Sequence, residues 1–316
     1  KRYAKAGETY REVFQRDNSG LENDYVYYQY GQALFKSGRY NEAIQAFNNL
    51  QERYSYSKYA DDAQYLKGWI NFQQGQFRSA IDNYRDLFLR YPDSKVKPVA
   101  LYSIGDSYFN LGKYDSAIVY YRRMLDDYPN TGFVYDAING LQYAFLAKDQ
   151  PENAVRQIDR FVAANPRLKI IDQVAFKKGD IYYTTGNYRM AKISYQEFVE
   201  DYPNSGLIPN AYYWIGKSAS NLGEDEEAKR YLRIVADQYA DSEIGTSAVI
   251  DLGKLYEKTD DLNSAIELYD KVIESQVQQG DKIAELLFMK GMAEKANEDT
   301  ADVYETLNQI LTYHEG

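Results

Sequence analysis

The sequence contains no cysteine and a single histidine, His314. Disulfides, cysteine nucleophiles and cysteine-ligated zinc are therefore excluded within it, and so are catalytic arrangements that need a histidine base. Glycine-rich phosphate loops of the GxGxxG or GKS/T type are also absent. The many carboxylates leave a paired-acid site formally open, but a solvated face explains Asp106 and Asp180 better. We expect no catalytic residue, no metal and no cofactor.

Positive charge and long apolar runs are scarce as well. The 316 residues carry 37 Lys and Arg against 47 Asp and Glu, which gives a formal net charge of −10 at pH 7. The resulting field repels phosphate backbones, so nucleic acid is not an expected partner. No apolar run approaches the roughly 18 residues that cross a bilayer. We therefore expect no transmembrane segment in this sequence.

What the sequence does contain is an internal repeat. An alanine recurs every 37 residues without insertion or deletion, at Ala6, Ala43, Ala80, Ala117, Ala154, Ala191, Ala228 and Ala265. A glycine twelve residues before it, here called position zero, recurs at Gly31, Gly68, Gly105, Gly179, Gly216 and Gly253, and Gln142 interrupts this series. Periods of about 20 to 50 residues are typical of repeat arrays.

Each repeat predicts a pair of helices. In the repeat around Gly105, apolar residues spaced by three and four occupy residues 99–111 and again residues 114–127, which is the periodicity of a helix face. Gly112 stands between the two segments and can adopt the left-handed conformation that ends a helix. The glycine at zero and the alanine at +12 let antiparallel helices approach closely. Tyr121 at +16 fills the space beside them.

Gly105, Ala117, Tyr121 and Pro129, at positions zero, +12, +16 and +24, together resemble the tetratricopeptide repeat (TPR) pattern. The resemblance covers nearly the whole chain in register. It implies an all-α fold, a right-handed α-α superhelical solenoid of antiparallel helix pairs. The family usually repeats every 34 residues. The three additional residues, which lie between Pro92 and Gly105, are expected to lengthen the first helix by about a turn.

We expect one solenoid over residues 1–316, with a half repeat at 1–22, seven 37-residue repeats at 23–278 and a degenerate or capping repeat at 279–316. Because the chain starts in the middle of a repeat, it is expected to be a fragment of a longer protein. Helix pairs are predicted at about 24–54, 58–91, 95–128, 132–165, 169–202, 206–239 and 243–276. Residues at +26 are predicted to cap the following helix; they are Ser57, Ser94, Thr131, Ser205 and Ser242.

The fourth repeat departs from the pattern. Gln142 replaces the glycine at zero, and Asp149 replaces the glycine that closes the first helix. Two interpretations are open. Neutral drift in a repeat whose helices still form is the preferred one, and a locally altered surface for a partner is the other.

A stripe on the first helices, at −6, −3, +1 and +5, is not used for packing within a pair. In the TPR family the corresponding stripe lines the concave groove that binds peptides, and the resemblance implies the same role here. The candidate partner-binding residues are Tyr25, Tyr28, Tyr65, Trp69, Tyr102, Asp106, Tyr143, Asp180, Tyr213 and Lys217. Such tyrosines suit partner binding, but they could equally thicken the packing between repeats.

The expected partner is a protein or peptide, with an extended apolar or basic segment favoured. Some TPR proteins bind acidic peptide tails with a clamp of lysine and asparagine. That clamp is absent here, since Gln32, Trp69 and Asp106 occupy the early +1 positions. The sequence does not indicate the oligomeric state.

The predicted function is that of a non-catalytic protein-interaction scaffold. The Tyr-Pro-x-Ser/Thr junctions at 91–94, 128–131 and 202–205 resemble TPR modules of bacterial envelope proteins, such as the lipoprotein of the outer-membrane β-barrel assembly machine and the periplasmic partner of the Tol-Pal system. This resemblance implies a periplasmic or outer-membrane-associated location, with a cytoplasmic one as the alternative. A docking or sensing region of a larger enzyme or signalling protein, and a structural self-associating spacer, are the alternative functions.

Overall fold

The computed structural model of the chain describes residues 2–15, 23–275, 280–298 and 300–314. Part of the predicted half repeat, the junction before the last repeat and the side chain of His314 lie outside the described residues. Within those residues every regular element is an α-helix, so the predicted all-α class is confirmed. The helices are α1 (Arg2–Gln15), α2 (Asp24–Lys36), α3 (Tyr40–Arg53), α4 (Ala60–Gln73), α5 (Phe77–Arg90), α6 (Lys97–Asn110), α7 (Tyr114–Asp127), α8 (Val134–Leu146), α9 (Pro151–Ala164), α10 (Ile171–Thr184), α11 (Tyr188–Asp201), α12 (Ile208–Asn221), α13 (Asp225–Gln238), α14 (Glu243–Lys258), α15 (Leu262–Ser275), α16 (Gly280–Ala296) and α17 (Thr300–His314).

The chain divides into two compact units, residues 1–157 (unit 1) and residues 158–316 (unit 2). In unit 1 consecutive helices pack against each other, from the pair α1 and α2 to the pair α7 and α8. In unit 2 consecutive helices pack in the same way, from the pair α10 and α11 to the pair α16 and α17. The first helices of neighbouring pairs also contact each other, α4 with α6 and α6 with α8 in unit 1, and α12 with α14 in unit 2. Helix pairs that stack only on their neighbours form a solenoid.

The glycine at position zero lies directly against the side chain at +16. A Cβ atom on Gly68 would come within 2.4 Å of the ring of Tyr84, and one on Gly105 within 2.6 Å of the ring of Tyr121. Both rings are almost completely buried, and so are the alanines at +12 in the same repeats. The predicted role of these small residues in bringing the two helices together is confirmed.

The residue that closes each first helix adopts a left-handed backbone. Gly112 has a φ of 68°, and Asp149 reaches 56° at the same position of the fourth repeat. The amide after the glycine, that of Lys113, donates to the carbonyl oxygen of Tyr108 at 2.9 Å and so satisfies a carbonyl at the helix end. Asp149, like Asp260 at the same position of the seventh repeat with a φ of 59°, therefore preserves the helix end that glycine makes in five other repeats.

The prediction that the +26 residues cap the next first helix is wrong at four of the five positions. Only Ser242 caps its helix, where its Oγ accepts the amide of Gly245 at 3.0 Å. The helices α4, α6, α8 and α12 begin without a side-chain cap. Three of the serines donate instead to an aspartate of the preceding first helix, in the pairs Ser57 with Asp24, Ser94 with Asp61, and Ser205 with Asp172.

The expectation that the three additional residues lengthen the first helix is also wrong. The helices α6 and α7 both have 14 residues. The additional residues form turns before Lys97, where the amide of Ser94 donates to the carbonyl of Tyr91 at 3.1 Å and the amide of Val96 donates to Ser94 Oγ at 3.2 Å. Local hydrogen bonds of a serine compete with helix formation at this point.

Candidate functional site

The first two predicted groove residues of unit 1 pack against the connection that precedes α4. The ring of Tyr28 stacks on that of Tyr59, with centroids 4.9 Å apart and planes at 13°. Tyr25 lies 5.8 Å from the same ring and stays half exposed. Burial, together with the nearby charge of Asp62, raises the pKa of Tyr28 to about 12. Tyr28 therefore contributes to packing between repeats.

Tyr65 and Trp69 on α4 are also engaged in internal contacts. The hydroxyl of Tyr65 lies 3.5 Å from Ser103 Oγ on α6, and its ring is 5.5 Å from that of Tyr84. Burial raises the pKa of Tyr65. Trp69 stacks on Phe72, with centroids 5.5 Å apart and planes at 6°. For these residues the geometry supports the packing interpretation of the stripe.

Three predicted groove residues come together further along unit 1. Tyr102 and Asp106 on α6 and Tyr143 on α8 line one pocket of about 370 Å³. We call it the α6–α8 pocket, and its remaining lining residues are Phe109, Asn110, Tyr121, Asp136, Asn139 and Gly140. Aromatic rings form much of its wall, and two carboxylates face it. Such a cavity, apolar with a few convergent polar groups, is typical of binding sites.

The two carboxylates of the pocket differ in their surroundings. Asp106 is partly buried and accepts a hydrogen bond from the hydroxyl of Tyr121 at 2.6 Å. Burial raises the pKa of Asp106, the charge of Asp136 raises it further, and hydrogen bonds from Tyr121 and Tyr102 oppose the rise. Asp136 is exposed. Neither carboxylate forms an ion pair within the described part of the chain.

Gly140 lets α8 approach the ring of Tyr121 closely at the floor of the pocket. A Cβ atom on Gly140 would lie 2.5 Å from Cζ of Tyr121, whose other side is in contact with Gly105. The ring therefore lies between two glycines. The residues at this position in the other repeats all carry side chains; they are Gln29, Leu66, Ser103, Lys177, Trp214 and Asp251.

Sequence analysis missed Asp136, Asn139 and Gly140. The signal that could have identified them is the irregular fourth repeat, because all three precede the aberrant Gln142 on the same helix. Gln142 is itself buried, so the irregularity at zero reflects packing. The surface that differs from the other repeats is formed by the residues of α8 that precede Gln142.

The predicted groove residues of unit 2 have charged or hydrogen-bonded partners within that unit. Asp180 pairs with Lys177 at 3.3 Å. The hydroxyl of Tyr213 donates to Asp251 at 2.7 Å, and Lys217 pairs with the same carboxylate at 2.9 Å. Burial raises the pKa of Tyr213, and the charge and hydrogen bond of Asp251 raise it further. These side chains form an internal polar network.

Within residues 2–15, 23–275, 280–298 and 300–314, no helix combines the length and the apolar character that a membrane span requires. Among the same residues, no three His, Cys, Asp or Glu side chains are grouped so that they could hold a metal ion.

Comparison with protein families matches most of the chain. The YfiO family model, described as outer membrane lipoprotein, matches residues 22–111 and 94–207. Two models described as tetratricopeptide repeat match residues 210–242 and 247–276. Comparison with curated proteins gives no match.

Comparison with solved structures gives TPR proteins, and one of them, with a TM-score above 0.5, shares the fold. A signal transduction ATPase with numerous domains and a tetratricopeptide repeat sensor, from Pyrococcus horikoshii, is 16% identical over 96% of this chain and 54% of that chain, with a TM-score of 0.52. A tetratricopeptide repeat protein from Parabacteroides merdae is 15% identical over 84% of this chain and 98% of that chain, with a TM-score of 0.43. The predicted TPR solenoid is confirmed. Proteins built from tetratricopeptide repeats, which match residues 210–242 and 247–276 here, are in general scaffolds for protein interactions. The outer membrane lipoprotein model spans residues 22–207, more than half of the sequence, and the chain therefore belongs to the YfiO family.

Proposed function

We propose that the chain is a non-catalytic scaffold that holds a partner protein of the bacterial envelope against the α6–α8 pocket. The observation that carries the proposal is the convergence of Tyr102, Asp106 and Tyr143 on this pocket. Their register in the repeat places them on the predicted groove stripe of two different first helices, α6 and α8. Their meeting at one cavity is what a binding surface requires, and packing between repeats does not require it.

Tyr143 is the part of the pocket best suited to reach a partner. It leaves 58% of its surface exposed, whereas Tyr102 is half-buried and packs against Tyr121 and Phe133. A tyrosine supplies a large contact area and loses little side-chain entropy on binding. The helix that carries it is packed into the core on its other face, where Ala137 is fully buried.

The envelope location is supported by the family comparison. The two matches to the outer membrane lipoprotein model together include every residue that lines the pocket. The proposed binding surface therefore lies in the part of the chain that matches the outer membrane lipoprotein family. We infer from this match that the chain works in the bacterial envelope.

The test is partner capture by the purified chain from solubilised envelope and cytosolic fractions of the source bacterium, with identification by mass spectrometry. The variant Tyr143→Ala removes the exposed ring of the pocket. The matched control is Tyr56→Ala, because Tyr56 is a fully exposed tyrosine, at 103% relative exposure, and does not line the pocket. Replacement of Tyr65, Trp69 or Tyr102 would be less informative, since their internal contacts make a loss of folding the simpler explanation.

The proposal predicts an envelope protein that the wild type and Tyr56→Ala retain and that Tyr143→Ala loses. Circular dichroism should show the same helicity for all three proteins, since neither tyrosine lies in the buried core. Equal capture by both variants would contradict the assignment of the pocket. Capture from the cytosolic fraction alone would contradict the envelope location.

A further inference from the structure

We propose that the α6–α8 pocket receives an arginine side chain of the partner protein, with its guanidinium group placed between Asp106 and Asp136. This inference rests on the proposed function, because it names the chemistry by which that partner is recognised. The two carboxylates line one cavity, together with the rings of Tyr102 and Tyr143.

A comparison inside the chain shows what the pocket lacks. Asp180 occupies the same register position in unit 2 and accepts the hydroxyl of Tyr195 at 2.9 Å, as Asp106 accepts that of Tyr121 at 2.6 Å. Asp180 also has a cation, since Lys177 lies 3.3 Å away. The position of that lysine is taken by Ser103 in the repeat of Asp106.

The absence of an internal cation matters because Asp106 is partly buried. A buried carboxylate that lacks a positive partner is costly, and a cation that enters its site relieves that cost. Asp136 adds a second negative charge at the same cavity. An acidic ligand group would be repelled by both carboxylates, and an apolar one would desolvate Asp106 further without pairing it. Charge complementarity therefore favours a basic side chain.

The walls of the pocket favour arginine among basic side chains. Tyr102, Phe109 and Tyr143 line the cavity, and a planar guanidinium group stacks on aromatic faces while its N–H groups donate to carboxylates. Its five donors can serve two carboxylates at once. The volume of about 370 Å³ is at the small end of ligand sites, as expected for one side chain and not for a folded element.

The test uses two short capped peptides, Ac-Ala-Arg-Ala-NH2 and the same peptide with citrulline in place of arginine. Citrulline keeps the shape of the side chain and removes its charge. Ligand-observed NMR titration of the intact chain measures both affinities. We expect the arginine peptide to bind at least about tenfold more tightly, which is the value of one charge-assisted hydrogen bond.

Variants of the chain locate the effect. Asp106→Asn and Asp136→Asn should each weaken the arginine peptide severalfold and leave the citrulline peptide unchanged. The matched control is Glu257→Gln, because Glu257 accepts the hydroxyl of a +16 tyrosine, Tyr269, at 3.0 Å and lies outside the pocket. This control should bind both peptides as the wild type does.

Equal affinity for the two peptides, or an arginine preference that survives in both aspartate variants, would overturn the inference. So would the absence of saturable binding of the arginine peptide. These results are distinguishable from a failure of the proposed function. If Tyr143→Ala still abolishes capture of the envelope protein while the peptides bind alike, the scaffold function stands and only the arginine assignment fails.

Discussion

Ser94 donates a hydrogen bond from its Oγ to Asp61 Oδ2 at 2.7 Å, and this contact joins the connection before α6 to the first turn of α4. The same contact, between residues 33 apart, links Ser57 to Asp24 at 2.8 Å and Ser205 to Asp172 at 2.6 Å. This hydrogen bond forms in the repeats that have an aspartate 33 residues before the serine. Prolines stand there instead at positions 98 and 209, and the corresponding Thr131 and Ser242 donate to nearby carbonyls.

We predict that Ser94 and Asp61 are energetically coupled. Ser94→Ala should lower the free energy of unfolding by about 1.5 kcal/mol or more, because a hydrogen bond to a charged group is lost. A double-mutant cycle with Asp61→Ala, measured by urea unfolding, should give a coupling energy of at least about 0.5 kcal/mol. Thr131→Ala with Pro98→Ala is the control cycle, since no such contact exists there. Additive effects of Ser94→Ala and Asp61→Ala would contradict the prediction.

We predict that Asp106→Asn stabilises the fold and that the gain depends on pH. Burial raises the folded-state pKa of Asp106 above its unfolded value, so the ionised carboxylate destabilises the folded chain. The cost is absent below the ordinary aspartate pKa of about 3.9 and is complete above the raised pKa. The gain in free energy of unfolding should therefore grow as the pH rises from acidic to neutral.

Urea unfolding of both proteins over this pH range measures the difference. Tyr121→Phe is the informative companion, because it removes a hydrogen bond that lowers the pKa of Asp106. In that background the pH window of the gain should move upward. A gain that does not change with pH would show that ionisation of Asp106 is not its source.

We predict that Asp149→Gly stabilises the chain. Asp149 has a φ of 56°, a left-handed conformation that glycine adopts without a steric penalty. The gain should be at most about 1 kcal/mol, because glycine also increases the entropy of the unfolded chain. Thermal unfolding measures it. Asp93→Gly, at a turn without a positive φ, is the control and should destabilise, so that a loss of stability in both variants would contradict the prediction.

We predict that Gly105→Ala destabilises the chain by about 1 to 3 kcal/mol, the usual cost of overpacking a core. The new Cβ atom would lie 2.6 Å from the ring of Tyr121, which the packing around it prevents from moving away. Gly132→Ala is the matched control, because nothing lies within 4 Å of its Cβ position. If chemical unfolding shows the same stability for both variants, the close approach at position zero is not required.

Most of the fold follows from the sequence because the relevant signals are local. Helix periodicity, the closing Gly112 and the pairing of Gly105 with Tyr121 all lie within one repeat. The role of Ser94 could not be predicted in the same way. Ser94 lies just before the start of α6 in the sequence, which is why it resembles a helix cap. Its hydroxyl instead donates to Asp61, an aspartate of the preceding first helix that is 33 residues away in the sequence.

The candidate site was predictable only in part for a related reason. Register on the first helix selects Tyr102, Asp106 and Tyr143. Gly140, which also lines the pocket, has no side chain, and α8 can therefore lie directly against Tyr121 of the preceding repeat. An absent side chain gives no periodic signal, and its effect becomes visible only when α7 and α8 are placed side by side.

The most direct test of the account is photocrosslinking from position 143 in the native envelope fraction. A photoactivatable phenylalanine analogue replaces Tyr143 in one protein and Tyr56 in another, because both side chains are exposed and only Tyr143 lines the α6–α8 pocket. The account predicts a discrete crosslinked envelope protein from position 143, reduced by Asp136→Asn, and none from position 56. The same products from both positions, or none from position 143, would contradict it.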